Sequence, residues 1–403
     1  MRVSLRRTIA AALIAAVPVL TAAAAPSSHS GGVRSSRLAP LQTERNAIPG
    51  DYIVSLTRGT DPDSVLTRIG AKAKHVYRDA LTGFAAPLTE PQLTQVRALP
   101  SVVGVEQDST VTLSPEEKRA VPVPAKRAAG TGIPWGLERI NERAPGGHGF
   151  VVKSTGAKVT AYIIDSGLDF THPEFNGRAS LGVDEMSDGR NGVDCAGHGT
   201  HVAGTVGGEH TGVAKKVNIV AVRVLNCEAR GPNSGIIAGI NWVAANAKKP
   251  AVANLSLGGN YSQTMNASLD GLAQAGVFPV VAAGNGNTNS CVVSPASASH
   301  AFTVAAIDEY DRKADFSDYG SCVNINAPGT GITSASLNGS YADMSGTSMA
   351  APHVTGIAAL YKDTFGDVPF ATLSKWLTDN ATPNVPIGAP WGTPRLLAYT
   401  NGL

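Results

Sequence analysis

Three short segments place an acid, an imidazole and a hydroxyl in settings suited to nucleophilic chemistry. Ala161-Tyr-Ile-Ile-Asp165-Ser-Gly167 has the pattern of an apolar strand that ends on a carboxylate. Gly197-His198-Gly199-Thr200-His201-Val202-Ala203-Gly204 sets an imidazole at the start of a helical run. Ser345-Gly346-Thr347-Ser348-Met349-Ala350-Ala351-Pro352-His353 sets a serine in a tight turn before another. A serine hydroxyl is a weak nucleophile at neutral pH and needs an adjacent base. His198 can take its proton and return it to a leaving group. Asp165 can accept from the second ring nitrogen, fix the tautomer and stabilise the imidazolium. Taken singly, a strand-terminal Asp is usually a turn former and a lone His usually a packing residue. Together, in the order Asp, His, Ser, they form one of the three known orders of such a triad and point to acyl transfer.

That chemistry also needs donors for a developing oxyanion. Gly346 and Thr347 lead into Ser348, which should open a helix and aim its backbone N–H and the helix dipole at that charge. Ala282-Ala283-Gly284-Asn285 follows a strand pattern directly and supplies a second donor in Asn285. Asn285-Gly286 is also a strong turn signal, and the two roles are compatible.

The elements that must position these groups alternate from Trp135 onward. Strands are expected at Lys158–Asp165, Val217–Val224, Val252–Leu257, Val277–Ala283 and Phe302–Ala306. Helices are expected at His198–Val206, Ser234–Asn246, Met265–Ala275 and Ser348–Phe365. The pattern implies an α/β fold: a mainly parallel sheet with helices on both faces and its site at the carboxyl ends of the strands. Before it, residues 48–113 read as a small α+β module in β-α-β-β-α-β order. Its strands are expected at 51–56, 71–77, 83–88 and 102–106, and its helices at 61–69 and 90–99. His75 is its only histidine, it has no cysteine, and it carries no evident chemistry.

The flanks differ in character. Arg2, Arg6 and Arg7 precede an apolar stretch from Thr8 to Leu20 and small residues at Ala22–Ala25, so residues 1–25 are expected to be a signal peptide and 26–47 a linker. An ordinary basic leader explains the arginines, although a twin-arginine signal has the same start. Residues 114–132 hold Lys118, Arg119, Lys126 and Arg127 among Ala, Pro and Gly. This stretch reads as a processing junction, or more simply as an exposed linker, before a final domain at 133–403. Charged residues make up 16% of the 403 and the formal net charge is +2. With no polybasic stripe and no span-length apolar segment, neither nucleic acid nor membrane is expected as a partner.

Cys195, Cys227, Cys291 and Cys322 are the only cysteines. An even number behind a leader favours two disulfides, with three connectivities open, and the scattered spacing argues against a zinc site.

The motifs at 161–167, 197–204, 254–259 (Asn-Leu-Ser-Leu-Gly-Gly), 281–285 and 345–353 resemble those of the subtilisin-like serine proteases. The details are similar to the proteinase K branch and, within it, to the aqualysin type of secreted bacterial enzyme. The resemblance runs from about Trp135 to the end, and the 48–113 module resembles that family's inhibitor-like, ferredoxin-like propeptide. It implies a secreted endopeptidase with Asp165, His198 and Ser348 as catalytic residues and Asn285 with Ser348 forming the oxyanion hole. The propeptide would act as intramolecular chaperone and inhibitor until the enzyme removes it. The resemblance pairs Cys195 with Cys227 and Cys291 with Cys322.

It also assigns Ser256, Leu257, Gly258, Ala282, Ala283 and Gly284 to the walls of the S1 pocket. These two segments hold no carboxylate, so an apolar or aromatic P1 residue is expected, with broad tolerance. Glu228-Ala229-Arg230-Gly231 corresponds to the edge strand that pairs with substrate. Ala229, Arg230 and Pro232 depart from the family's glycine-rich stretch there. Asn324 stands where the proteinase K pattern has an aspartate ligand for calcium, and an amide is the weaker ligand. That site is expected to be weak or lost, other structural calcium sites stay open, and no cofactor is needed for the chemistry. His201 and His353 are expected to pack and hydrogen-bond only. Protein and peptide substrates and a monomer are expected.

Two other readings stay on the table. A non-catalytic binding protein on a degenerate scaffold would be expected to lack a triad residue, and none is missing. A lasting regulatory inhibitor would keep the 48–113 module bound after secretion.

Overall fold

The computed structural model describes residues 38–44, 46–124, 132–146 and 149–403. The expected leader, the linker up to residue 37 and the 125–131 part of the junction lie outside the described residues. Residues 38–403 pack as one unit.

The amino-terminal module runs β1 (Leu41–Gln42), β2 (Ala47–Leu56), α1 (Pro62–Ile69), β3 (His75–Tyr77), β4 (Gly83–Pro87), α2 (Glu90–Arg97) and β5 (Val102–Thr112). Both helices start on local caps. Asp61 accepts from the Asp63 and Ser64 N–H groups, and Thr89 with Gln92 forms a capping box. The strand order is β1-β5-β2-β4-β3, and Val54, Val65, Phe84, Leu93 and Val105 share a core between sheet and helices. The strand expected from Ala71 begins only at His75. β5 continues past the expected end at Glu106 as far as Thr112, because its second half finds a partner strand in the domain beyond.

The chain then makes one turn of helix, α3 (Pro115–Lys118), a short strand β6 (Val121–Val123) and α4 (Trp135–Asn141). The main domain follows with β7 (Thr160–Asp165), β8 (Ala179–Asp184), α5 (His198–Gly207), β9 (Asn218–Arg223), β10 (Arg230–Pro232) and α6 (Asn233–Asn246). Next come β11 (Ala251–Leu255), β12 (Gly259–Asn260), α7 (Gln263–Gln274), β13 (Phe278–Ala282), β14 (Val293–Ser294), β15 (Phe302–Ile307) and β16 (Ile325–Pro328). A hairpin, β17 (Ile332–Ser336) and β18 (Ser340–Met344), precedes α8 (Thr347–Phe365), α9 (Phe370–Asp379), β19 (Thr382–Pro383) and β20 (Leu396–Leu397).

The main sheet has the order β19-β20-β16-β15-β13-β11-β7-β9-β8 and is parallel except at β19. Side chains of β7 alternate between its faces. Ala161 and Ile163 join the core under α5 and α8, while Tyr162 and Ile164 join the core under α6 and α7. Burial on both faces is why these strands read as continuous apolar runs.

Two expectations need correction. The edge strand is Arg230–Pro232, not Glu228–Gly231: Ala229 stands at φ +55°, in a turn closed by Asn226, whose Oδ1 accepts from the Glu228 and Arg230 N–H groups. Part of the junction is also structured, since β6 pairs antiparallel with β18 and Val123 is buried beside Tyr341.

Candidate active site

Asp165 ends β7 and His198 opens α5, and both are buried. His198 Nδ1 lies 2.8 and 3.0 Å from the two Asp165 oxygens. One residue, not anticipated from sequence, holds this pair's surroundings in place. The buried Asp194 carboxylate accepts from the Ala196, Gly197 and Thr200 N–H groups at 2.9 Å each, and from the Ser166 and Thr200 hydroxyls. Ser166 Oγ in turn accepts from Gly199 N–H at 2.9 Å. Asp194 therefore anchors the first turn of α5 to the end of β7. Gly199 is required there because a side chain would collide with the Gly167 carbonyl. Burial pulls the His198 imidazole down, but the Asp165 charge and hydrogen bond, helped by Glu117 and Asp194, outweigh it and hold the ring above its ordinary value.

Ser348 sits in the first turn of α8 and is buried. Its hydroxyl donates to Glu117 Oε1 on α3, with the Ser256 carbonyl as a second acceptor at 3.1 Å. His198 Nε2 has no hydrogen-bond partner among the described residues. Glu117 is fixed from its own turn: Oε2 accepts from Ser114 N–H at 2.8 Å, and Glu117 N–H donates to Ser114 Oγ. Asn285 Oδ1 accepts from the Thr347 N–H (2.8 Å) and hydroxyl (3.0 Å), which leaves Nδ2 as the free end of the amide. Nδ2 and Glu117 Oε1 converge beside Gly346, where an added Cβ would stand 3.6 and 3.4 Å from them. The Glu117 carboxylate thus meets the serine hydroxyl on the side of Gly346 where the Asn285 amide donor also lies.

The end of β5 lies along the cleft as an added strand. Thr110, Val111 and Thr112 pair antiparallel with Pro232, Gly231 and Arg230, and Leu113 N–H donates to the Ala229 carbonyl. Just upstream, two carboxylates of β5 meet helix N-termini of the main domain. Asp108 accepts from the Ser234 N–H and hydroxyl at α6, and Glu106 from the Thr264 N–H and hydroxyl at α7. Burial outweighs these bonds and leaves both carboxyls above their ordinary values.

Beside Ser348 a cavity of about 370 Å³ opens between Leu257-Gly258 and Ala282-Ala283-Gly284. Ser256 is turned away from it, and its hydroxyl donates to the Ser348 carbonyl at 2.8 Å. Gly231 lies on β10 instead, opposite Val111. The two wall segments hold no carboxylate, but Asp318, carried in by the loop between β15 and β16, lines the same cavity, as does Glu117. Asp318 sits in the segment Phe316-Ser-Asp-Tyr-Gly320, which gives no local sign of this placement.

The structure joins Cys195 to Cys227 and Cys291 to Cys322. His201 Nε2 is bonded to the Ile332 and Ala342 carbonyls, and His353 Nδ1 to the Met349 carbonyl. Burial lowers them to about 3 and about 4, so both are neutral. Asn324 Oδ1 accepts from Thr303 N–H at 2.6 Å and is used within the sheet. Among the described residues no group of three or more His, Cys, Asp or Glu could hold a metal ion, and no helix is long and apolar enough to cross a membrane.

Residues 156–395 match the subtilase family of peptidases, and residues 47–114 match the peptidase inhibitor I9 family. The chain is 43% identical to an extracellular serine proteinase of Thermus sp. (strain Rt41A) over 82% of its own length and 78% of the relative's. It is 40% identical to proteinase R of Parengyodontium album over 91% and 93%. An alkaline serine exoprotease A of Vibrio alginolyticus is 44% identical, and there the match spans only 53% of the relative. The crystal structure of a cold adapted subtilisin-like serine proteinase superposes with a TM-score of 0.65 at 44% identity, covering 67% of this chain and 99% of that one.

Proposed function

The chain belongs to the subtilase family, as a serine endopeptidase preceded by an I9 inhibitor module, and we propose that it is secreted, broadly specific and self-maturing. The observations that support the mechanism are the buried Asp165–His198 pair and Ser348, whose hydroxyl meets the same Glu117 carboxylate that acts on the His198 ring, with Asn285 at the edge of the neighbouring cavity. Ser348 Oγ attacks the scissile carbonyl while His198 Nε2 takes its proton. The oxyanion accepts from Ser348 N–H and Asn285 Nδ2, and His198 then protonates the leaving amine. Water repeats the sequence on the acyl-enzyme. Substrate would pair with β10 through Gly231 as β5 does, and its P1 side chain would enter the cavity, whose Leu257, Ala282 and Ala283 suit apolar and aromatic groups.

In the unprocessed chain Glu117 engages the Ser348 hydroxyl, so the nucleophile is disengaged from its base. Maturation requires that carboxylate to leave. The supports for export are the amino-terminal leader pattern, the two disulfides and the extracellular relative. Asp165, His198, Ser348 and Asn285 act without a cofactor in this reading, and the mature enzyme works as a monomer.

Intact mass spectrometry of the exported wild type beside Ser348→Ala tests the reading. Loss of everything up to the 114–132 junction in the wild type alone supports Ser348 as nucleophile and self-cleavage. Identical trimming of both assigns the cut to another protease. No trimming of either removes the propeptide reading.

A further inference from the structure

The Asp318 carboxylate is placed where the catalytic mechanism has no use for it. The residue is 2% exposed and yet lines the cavity beside Ser348. Its backbone N–H donates to the Gly284 carbonyl at 2.9 Å, and its Oδ1 accepts from Gly286 N–H at 2.9 Å and Thr288 N–H at 2.7 Å. These bonds fix the carboxylate against the loop that carries Asn285. Oδ2 has no hydrogen-bond partner among the described residues. It rests against Gly284, where any side chain would fall on it. The nearby cation, Lys313, gives its Nζ to Asn287 Oδ1, the Ala314 carbonyl and the Ser317 carbonyl, and makes no ion pair with Asp318. A carboxylate oxygen that opens on a cavity with no side-chain or backbone donor on it can take one from outside. Burial outweighs its two N–H bonds and the Lys313 charge and leaves this carboxyl above its ordinary value.

We propose that Asp318 is a specificity-determining residue that lets the S1 cavity take a lysine or arginine side chain at P1 as well as apolar ones. The aliphatic stem would lie along Leu257, Ala282 and Ala283, as long cationic side chains do on apolar surface, and the charged head would reach Asp318 Oδ2. The inference rests on the reading that this cavity receives P1. The chain itself offers such side chains at Lys118–Arg119 and Lys126–Arg127 in the junction.

The test is kcat/KM of the mature enzyme on tetrapeptide anilides that differ only at P1: phenylalanine, norleucine, lysine and arginine. Wild type is expected to cleave the lysine and arginine substrates at rates comparable to norleucine, with the cationic ones alone slowed by salt. Asp318→Asn keeps the Oδ1 acceptor. It should cut kcat/KM for lysine and arginine by about 10- to 100-fold while norleucine and phenylalanine stay within about twofold. If wild type cleaves norleucine but lysine is slower by about a thousandfold, the proposal is overturned and the protease reading stands. Equal losses on all four substrates would make Asp318 a loop-positioning residue and overturn it too. The wild-type comparison of lysine with norleucine decides the matter even if the variant fails to fold. Hydrolysis of none of the four would count against the underlying reading and the proposal together.

Discussion

Glu106 and Asp108 on one side, and Glu117 on the other, are carboxylates from the same amino-terminal part of the chain that touch the main domain in opposite ways. The first two, on β5, accept from backbone N–H groups and hydroxyls at the starts of α7 and α6. Glu117 accepts from the nucleophile itself. One region holds the module in place, and the other blocks chemistry. The contrast implies that binding and inhibition by the module are separable properties, carried by different side chains.

Ser348→Ala sharpens the contrast most. It should abolish peptide hydrolysis, a loss on the order of 10⁶ in turnover by comparison with the subtilisin knockouts, yet leave the Glu106 and Asp108 contacts untouched. The unprocessed variant should therefore melt with its module docked, as seen by calorimetry. Asn285→Ala should lower kcat by about 10²- to 10³-fold with little change in KM, again by the subtilisin precedent. A smaller loss would place the oxyanion's second donor elsewhere.

The holding region is tested next. Glu106→Gln with Asp108→Asn, in the Ser348→Ala background, should weaken docking by about 2–4 kcal/mol, read as earlier module unfolding in denaturant. Glu117→Gln has the smallest expected effect. It should shorten the lag before self-processing of the full chain by a few fold and leave the module's unfolding midpoint in place. If either set of substitutions moves both readouts together, holding and blocking are one property and the comparison breaks.

Acid separates the two regions by sign. The docked Glu106 and Asp108 carboxyls sit above their ordinary values, so the docked state holds protons more tightly than the free module. Their contact is strongest at low pH and weakens as pH rises through the carboxylate range. Acid alone does not release the module through these groups. His201 and His353 run the other way. They are neutral when folded, lowered to about 3 and about 4, whereas the unfolded chain takes up their protons below about 6.5. Their contribution is complete above that pH and is lost as pH falls, about 2 kcal/mol each near pH 5. Melting of the Ser348→Ala chain between pH 7 and 5 should fall accordingly, and His353→Gln should flatten the slope.

Much of this architecture is legible in the residues because it is local. The apolar run before Asp165, the glycines around His198 and the small residues before Ser348 dictate strand, helix start and tight turn where they stand. What was not legible depends on partners far along the chain. Glu117 meets Ser348 across 231 positions, and nothing in Pro-Glu-Glu-Lys announces that contact. Asp318 enters the cavity through a loop whose sequence reads only as a turn. The polar second half of β5 makes sense only beside β10. The β17–β18 hairpin, built of small and polar residues, lacks the alternation that marks a strand. Asp194 did leave a trace, an acid just before a helix start, which is a capping signal.

The Cys195–Cys227 bridge has a consequence for the lifetime of such an enzyme among copies of itself. The loop it closes contains the whole of α5, with His198, and ends just before β10. Its surface offers His210, Lys216 and Asn218 to attack. A single cut there leaves the base tethered on both sides of the wound, so a nicked molecule need not shed its active site.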